Sequence, residues 1–302
     1  MTPVLAALLP IFALIALGAV LRRIGFPGDG FWYPLERLIY FLLFPALLID
    51  RLSRAPIDTM ALGPTVAAIV GTVLLLSVIS LWLGRALGFA GPVRAVVFMG
   101  ATRFNTYVGL AAAGALYGSE GVTLAAVVLA IWVPLVNLLS VMVLAGLGER
   151  RVARRALVAV VLNPLIIACA IGIALALSGH GLPPVPGRIV ASLAGAALPL
   201  GLLAVGAGLD LGSMRGRARP LVVATVCKLA VLPAAMLLVL PLLGVTGLAA
   251  AVLLLFAALP GSPAAYLMAR QMGGDAPLMA AIVTLTTLLA AATLPLWLAI
   301  SP

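Results

Sequence analysis

The chain has 302 residues, of which 65% are hydrophobic and only 9% charged, with a net charge of +10. A soluble domain carries roughly 25% charged residues because its surface must face water, so this chain is built to be solvated by lipid. The positive charge does not argue for nucleic acid: the basic residues are spread over short connections between apolar runs, which is what the positive-inside rule produces. The two cysteines, Cys169 and Cys227, lie inside apolar runs, where they read as small packing residues and not as a disulfide or metal framework.

A spanning helix needs about 20 mostly apolar residues. In chain order the runs that meet this are 3–21, 35–53, 64–88, 92–118, 121–147, 156–178, 187–209, 219–243, 247–271 and 276–299. Arg22 and Arg23 follow the first run and no basic segment precedes it, so it reads as a retained helix, not a cleaved signal peptide. The connections are short and rich in Gly, Pro or Arg, as at 22–34, 53–64, 179–187 and 212–220. The fold class expected is therefore all-α and integral to the membrane, with ten transmembrane helices.

Orientation follows from the basic residues. Odd-numbered connections hold thirteen (Arg22, Arg23, Arg37, Arg85, Arg94, Arg150, Arg151, Arg154, Arg155, Arg215, Arg217, Arg219, Arg270) and even-numbered ones three (Arg51, Arg54, Arg188). That asymmetry predicts cytoplasmic odd connections and extracytoplasmic termini. Five spans in 1–147, a basic linker at 148–155 and five spans in 156–302 make two halves of opposite orientation, the inverted-repeat plan of many secondary transporters. Two local matches support it: Asp50 closes span 2 as Asp210 closes span 7, and Tyr-Gly-Ser-Glu (117–120) ends span 4 as Met-Gly-Gly-Asp (272–275) ends span 9. The single lysine, Lys228, among abundant Ala, Leu, Gly and Arg is the composition of a GC-rich bacterial gene. The cytoplasmic (inner) membrane is the expected location.

The chemistry-bearing residues gather in the middles of spans 4 and 9. Aligning the two glycine-acid ends sets Asn105 opposite Pro260. Span 9 is interrupted by Pro260-Gly261-Ser262-Pro263, and two prolines there must free backbone groups that find partners elsewhere. Transporters use such breaks to line a midplane cavity, with half-helix N-termini facing anionic groups. The competing reading is a simple kink, since Pro45, Pro134, Pro164, Pro199, Pro233 and Pro295 also lie within spans. Asn105 and Thr106 suit hydrogen bonding to a substrate or to a neighbouring helix. Arg103 suits a carboxylate with its planar fork, or an internal partner. Lys228, about nine residues inside span 8, is a functional candidate by depth alone, although its stem is long enough to snorkel. Asp50 and Asp210 read as gate or helix-end residues. Tyr107 and Tyr266 flank the breaks as packing aromatics, and His180 sits in a turn with no assigned role. No catalytic motif appears, and a single histidine outside the spans leaves no material for a triad or metal site. No enzyme activity, cofactor or metal is expected.

With the motifs Arg-Phe-Asn-Thr-Tyr-Val-Gly-Leu (103–110), Leu-Tyr-Gly-Ser-Glu-Gly (116–121) and Pro-Ile-Phe-Ala-Leu-Ile-Ala-Leu-Gly (10–18), the chain resembles the auxin efflux carrier family, in its bacterial branch, over nearly its whole length. The resemblance implies two inverted five-helix repeats, with spans 1, 2, 6 and 7 as a scaffold that often dimerises. It implies a transport domain of spans 3–5 and 8–10 that moves like an elevator, with spans 4 and 9 crossing. It also implies a small organic anion as substrate, auxin-like or malonate- or malate-like. Asn105 corresponds to the family's polar crossing residue, and Pro260 with Pro263 to the break in span 9. Gly261 and Ser262 depart from the bulkier polar residue expected there. The alternatives are a sodium-coupled symporter, a cation/proton antiporter of the same architecture, or a membrane sensor. The antiporter needs a carboxylate in mid-membrane, and all eight acids lie at span ends or in connections.

Overall fold

The computed structural model describes residues 2–28, 30–55, 62–145, 162–179, 181–214 and 216–300. The linker at 148–155, His180 and Arg215 lie outside the described residues. Eleven helices follow one another among those described: α1 Thr2–Arg23, α2 Trp32–Leu52, α3 Leu62–Ala86, α4 Gly91–Thr102, α5 Thr106–Ala145, α6 Pro164–Leu177, α7 Pro184–Ala207, α8 Ala218–Leu242, α9 Gly247–Ala258, α10 Ala264–Gln271 and α11 Ala276–Ala299. No strand occurs among the described residues. Seven helical stretches are long and apolar enough to cross a membrane, one of them the 54-residue run Gly91–Leu144, and Pro164–Leu177 and Gly247–Ala258 are shorter apolar helices.

The surface confirms which solvent the chain is built for. Leu9, Trp82, Leu238 and Leu242 stand exposed, whereas Asn137, Ser140, Lys228, Thr284 and Thr286 are buried. Such a distribution, apolar outside with polar groups inside and paired, is the arrangement a lipid solvent demands.

Two prolines reshape their helices in the same way. Pro45 and Pro233 each follow a π-helical turn, Ile39–Leu43 in α2 and Cys227–Val231 in α8. Proline has no N–H to give the carbonyl four residues back, and a wider turn relieves the clash of its ring. The carbonyl that Pro233 leaves free is that of Leu229, and the indole N–H of Trp297 donates to it at 2.8 Å.

Packing divides the helices into two sets. α1 lies along α7, and α2 packs on both α6 and α7. The other set joins α3, α4, α8, α9 and α11, and α5 packs on both, touching α1, α2, α6 and α7 as well as α3, α4 and α9. Small residues bring the first set into backbone contact: a methyl added at Gly18 would overlap the Leu203 carbonyl, and one at Gly206 would overlap the Ile15 carbonyl. Gly172 of α6 meets the Cβ of Leu52 in α2 in the same manner. Between helices in lipid, where apolar burial gives no drive, such close approach is the source of attraction.

The sequence expectation of separate spans 92–118 and 121–147 is modified. Helical bonding continues from Thr106 to Ala145, but Gly118 has φ 63° and ψ −151°, so two helices meet there without an intervening loop. Only glycine takes this conformation at no steric cost. Gly273, at the matching place after α10, is also left-handed, at φ 78°.

Candidate functional site

α4 stops at Thr102 and α5 starts at Thr106, while α9 stops at Ala258 and α10 starts at Ala264. The second break has a local cause. Pro260 drives the residue before it out of the helical region, and Leu259 is extended at φ −62°, ψ 152°. No proline is present in the first break. Arg103 is extended at φ −86°, ψ 149°, and Asn105 starts the next helix as its cap. Its Oδ1 accepts from the N–H of Tyr107 at 3.1 Å and of Val108 at 3.3 Å, satisfying two of the donors that a helix start leaves free.

The two breaks meet. The backbone N–H of Asn105 donates to the carbonyl of Pro260 at 2.9 Å, so groups freed by one interruption serve the other. Gly261 N–H donates to Thr286 Oγ1 of α11 at 3.0 Å, and Gly109 leaves room for Leu259 and Phe256 to pack against α5. Asn105 is 0% exposed, and its side-chain Nδ2 has no hydrogen-bond partner. A buried amide with both N–H groups unused is a donor waiting for an acceptor.

The two cations take different directions. Arg103 points toward the second half of α5, where its Nη1 donates to Asn137 Oδ1 at 2.7 Å and lies 3.5 Å from Ser140 Oγ, with Met268 Sδ of α10 at 3.7 Å. Its Nε is buried without a partner. Lys228 is 0% exposed, and its Nζ donates to the Ala257 carbonyl in the last turn of α9 at 3.3 Å. The ammonium also lies 5.8 Å from the ring centroid of Phe104, in the range of a cation–π contact. Phe104 in turn stands edge-on to Trp132 and Phe256.

Of the other residues singled out from the sequence, Thr106 lines a cavity of about 10 Å³ with Phe44, Pro134, Leu165 and Cys169, roughly the room of one water. Tyr107 stacks edge-on against Phe44 of α2 at 4.8 Å and fills a notch left by Gly201 of α7. Ser262 is buried and Pro263 caps α10. Asp50 and Asp210 stay at helix ends. Asp50 Oδ1 holds Arg54 at 2.8 Å, and Asp210 Oδ1 accepts from the Gly212 N–H at 2.9 Å while its own N–H donates to Thr284 Oγ1. Asn137, Ser140, Phe104 and Thr286 were not expected from sequence reasoning. Their signal was present in the polar residues inside otherwise apolar runs, Asn137 in span 5 and the Thr284, Thr286, Thr287 group in span 10.

Residues 148–298 match the family described as "Membrane transport protein". The chain belongs to that family, the auxin efflux carriers. A relative from Methanothermobacter thermautotrophicus, called an uncharacterized transporter, is 26% identical over 296 residues, covering 96% of this chain and 95% of that protein. This family member is thus a multi-pass membrane transport protein, and both comparisons point to transport and not to catalysis.

Proposed function

We propose that the protein is a secondary carrier of a small organic anion, binding it where the breaks of α4–α5 and α9–α10 cross and moving it by alternating access. One observation carries this reading. Two buried cations, Arg103 and Lys228, and the unpartnered Nδ2 of Asn105 flank the meeting of the breaks. Among the described residues the carboxylates are Glu36 and Asp50 toward the two ends of α2, Glu120 beside the Gly118 junction within α5, and Asp210 and Asp275 in connections. A buried positive charge in lipid is costly unless balanced, and a bound carboxylate balances it. A cation/proton antiporter would need the opposite sign at the same place.

Asn105 Nδ2 and the Ser262 hydroxyl are the hydrogen-bond donors of this reading, with Thr106 behind them. The start of α5 at Thr106 and of α10 at Ala264 would present the positive ends of two half-helices to the anion. Pro260, Gly261 and Pro263 hold the second break open. Arg103 and Lys228 set the potential, and Asp50 and Asp210 tie down helix ends beside the moving set. The left-handed Gly118 and Gly273 and the Asn105–Pro260 bond join residues that the internal alignment equates, which supports two inverted repeats at 1–147 and 156–302. The packing of α1, α2, α6 and α7 on one another supports a scaffold and a separate elevator-like transport domain. Dimerisation through that scaffold, an inner-membrane location and extracytoplasmic termini belong to the same proposal.

The test is reconstitution in liposomes with radiolabelled small carboxylates, with and without proton and sodium gradients. Saturable flux that is lost in Asn105→Ala supports the site. Absence of carboxylate flux together with sodium- or pH-driven current on a supported-membrane electrode would sink it in favour of the cation antiporter.

A further inference from the structure

The break between α9 and α10 leaves carbonyl oxygens that an unbroken helix would use. The Phe256 carbonyl would pair with residue 260, a proline with no N–H, and the Ala257 carbonyl would pair with the Gly261 N–H. That N–H goes instead to Thr286 Oγ1 at 3.0 Å. The C-terminal end of α9 therefore carries carbonyls that lack their helical N–H partners, and the negative end of a helix dipole inside the protein. In carriers with broken helices this is where a dissociable coupling cation is held, by unwound carbonyls and half-helix C-termini.

Here the place is filled by a side chain. Lys228 Nζ is on the Ala257 carbonyl at 3.3 Å, under the ring of Phe104 at 5.8 Å. It forms no ion pair with any described carboxylate, so its partners are those of a bound monovalent cation: a carbonyl, a dipole end and an aromatic face. The surrounding structure holds it there. The π-helical turn Cys227–Val231 that carries Lys228 is pinned by the Trp297 indole on the Leu229 carbonyl, and Thr286 removes the N–H that would compete for Ala257 O.

We propose that the Lys228 ammonium is a tethered cation occupying the position of a dissociable coupling ion at the end of α9, so that this carrier binds no sodium there. The proposal rests on the carrier reading above, but its geometry involves no substrate. Lys228 is then a positioning residue: it keeps α9 in register with the first break and sets the local charge, while the anion is met by Asn105.

Thermal unfolding of the full-length protein in nanodiscs tests it without a substrate. Lys228→Ala removes the four outer heavy atoms and opens room for ethylammonium, whose three heavy atoms leave clearance from the new methyl. Ethylammonium chloride should raise the melting temperature of Lys228→Ala by about 3 °C over equal choline chloride, the size expected for a ligand at some ten times its Kd. Wild type, and Lys228→Met, whose side chain fills the space, should not respond. Sodium should leave wild type at its choline value. A rise of the Met variant equal to that of the Ala variant, no cation discrimination by Lys228→Ala, or a sodium-specific rise in wild type would each overturn the proposal. If Lys228→Ala does not fold, the sodium comparison on wild type decides alone. A negative result here leaves the organic-anion reading standing, and absence of anion flux leaves this result unaffected.

Discussion

Asn105 performs two jobs with opposite ends of one amide, and substitution can separate them. Its Oδ1 caps α5 through two N–H groups, at 3.1 and 3.3 Å, while its Nδ2 is unpaired and buried. Asn105→Ala removes that cap and leaves the two N–H groups it served buried and unpaired, a single loss of about 1–3 kcal/mol. That corresponds to a fall of roughly 2–6 °C in melting temperature for a chain of this size. Asn105→Ser keeps an acceptor at the cap position, so its stability should stay within about 1 kcal/mol of wild type. It loses the amide donor as completely as alanine does. A hydrogen bond to a charged group is worth about 1.5–3 kcal/mol, so carboxylate flux at subsaturating concentration should drop about 10- to 100-fold. Differential scanning fluorimetry and liposome uptake, run on the same preparations, report the two jobs separately. Wild-type flux in Asn105→Ser would refute the donor role, and equal destabilisation by Ser and Ala would refute the capping account.

Three further outcomes follow from the packing. Gly206→Ala forces α1 and α7 apart because the added methyl meets the Ile15 backbone carbonyl; it should cost about 1–3 kcal/mol, whereas Gly195→Ala in the same helix, with open space around it, should be neutral or slightly stabilising by circular dichroism melts. Thr286→Val leaves the Gly261 N–H without its partner, and a loss of about 1–3 kcal/mol with faster hydrogen exchange at Gly261 is expected; unchanged protection there would contradict the assignment. Asn137→Leu deprives Arg103 of its 2.7 Å acceptor, and the stranded guanidinium should destabilise by several kcal/mol, while Asn137→Leu combined with Arg103→Leu should recover most of the loss in a double-mutant cycle.

The helical class, the placement of the apolar runs and the second break are legible in the residues alone. Runs of about 20 apolar residues have no other stable form in lipid, and expected spans such as 276–299 and 219–243 lie within two residues of the helices Ala276–Ala299 and Ala218–Leu242. Pro260 and Pro263 broke span 9 through local sterics that any reader of the chain can apply. The first break was different: Thr-Arg-Phe-Asn-Thr contains no residue that forbids a helix, and Asn105 caps α5 only because the Pro260 carbonyl is there to take its N–H. Where the two cations point is set when the helices pack. Arg103 stands in the extended break between α4 and α5, and Lys228 on the π-helical turn of α8 that the Trp297–Leu229 bond holds. Side-chain direction inside an apolar span has no sequence signature, because lipid-facing and protein-facing positions are equally apolar, and the partners at 137 and 257 become neighbours only when distant helices pack.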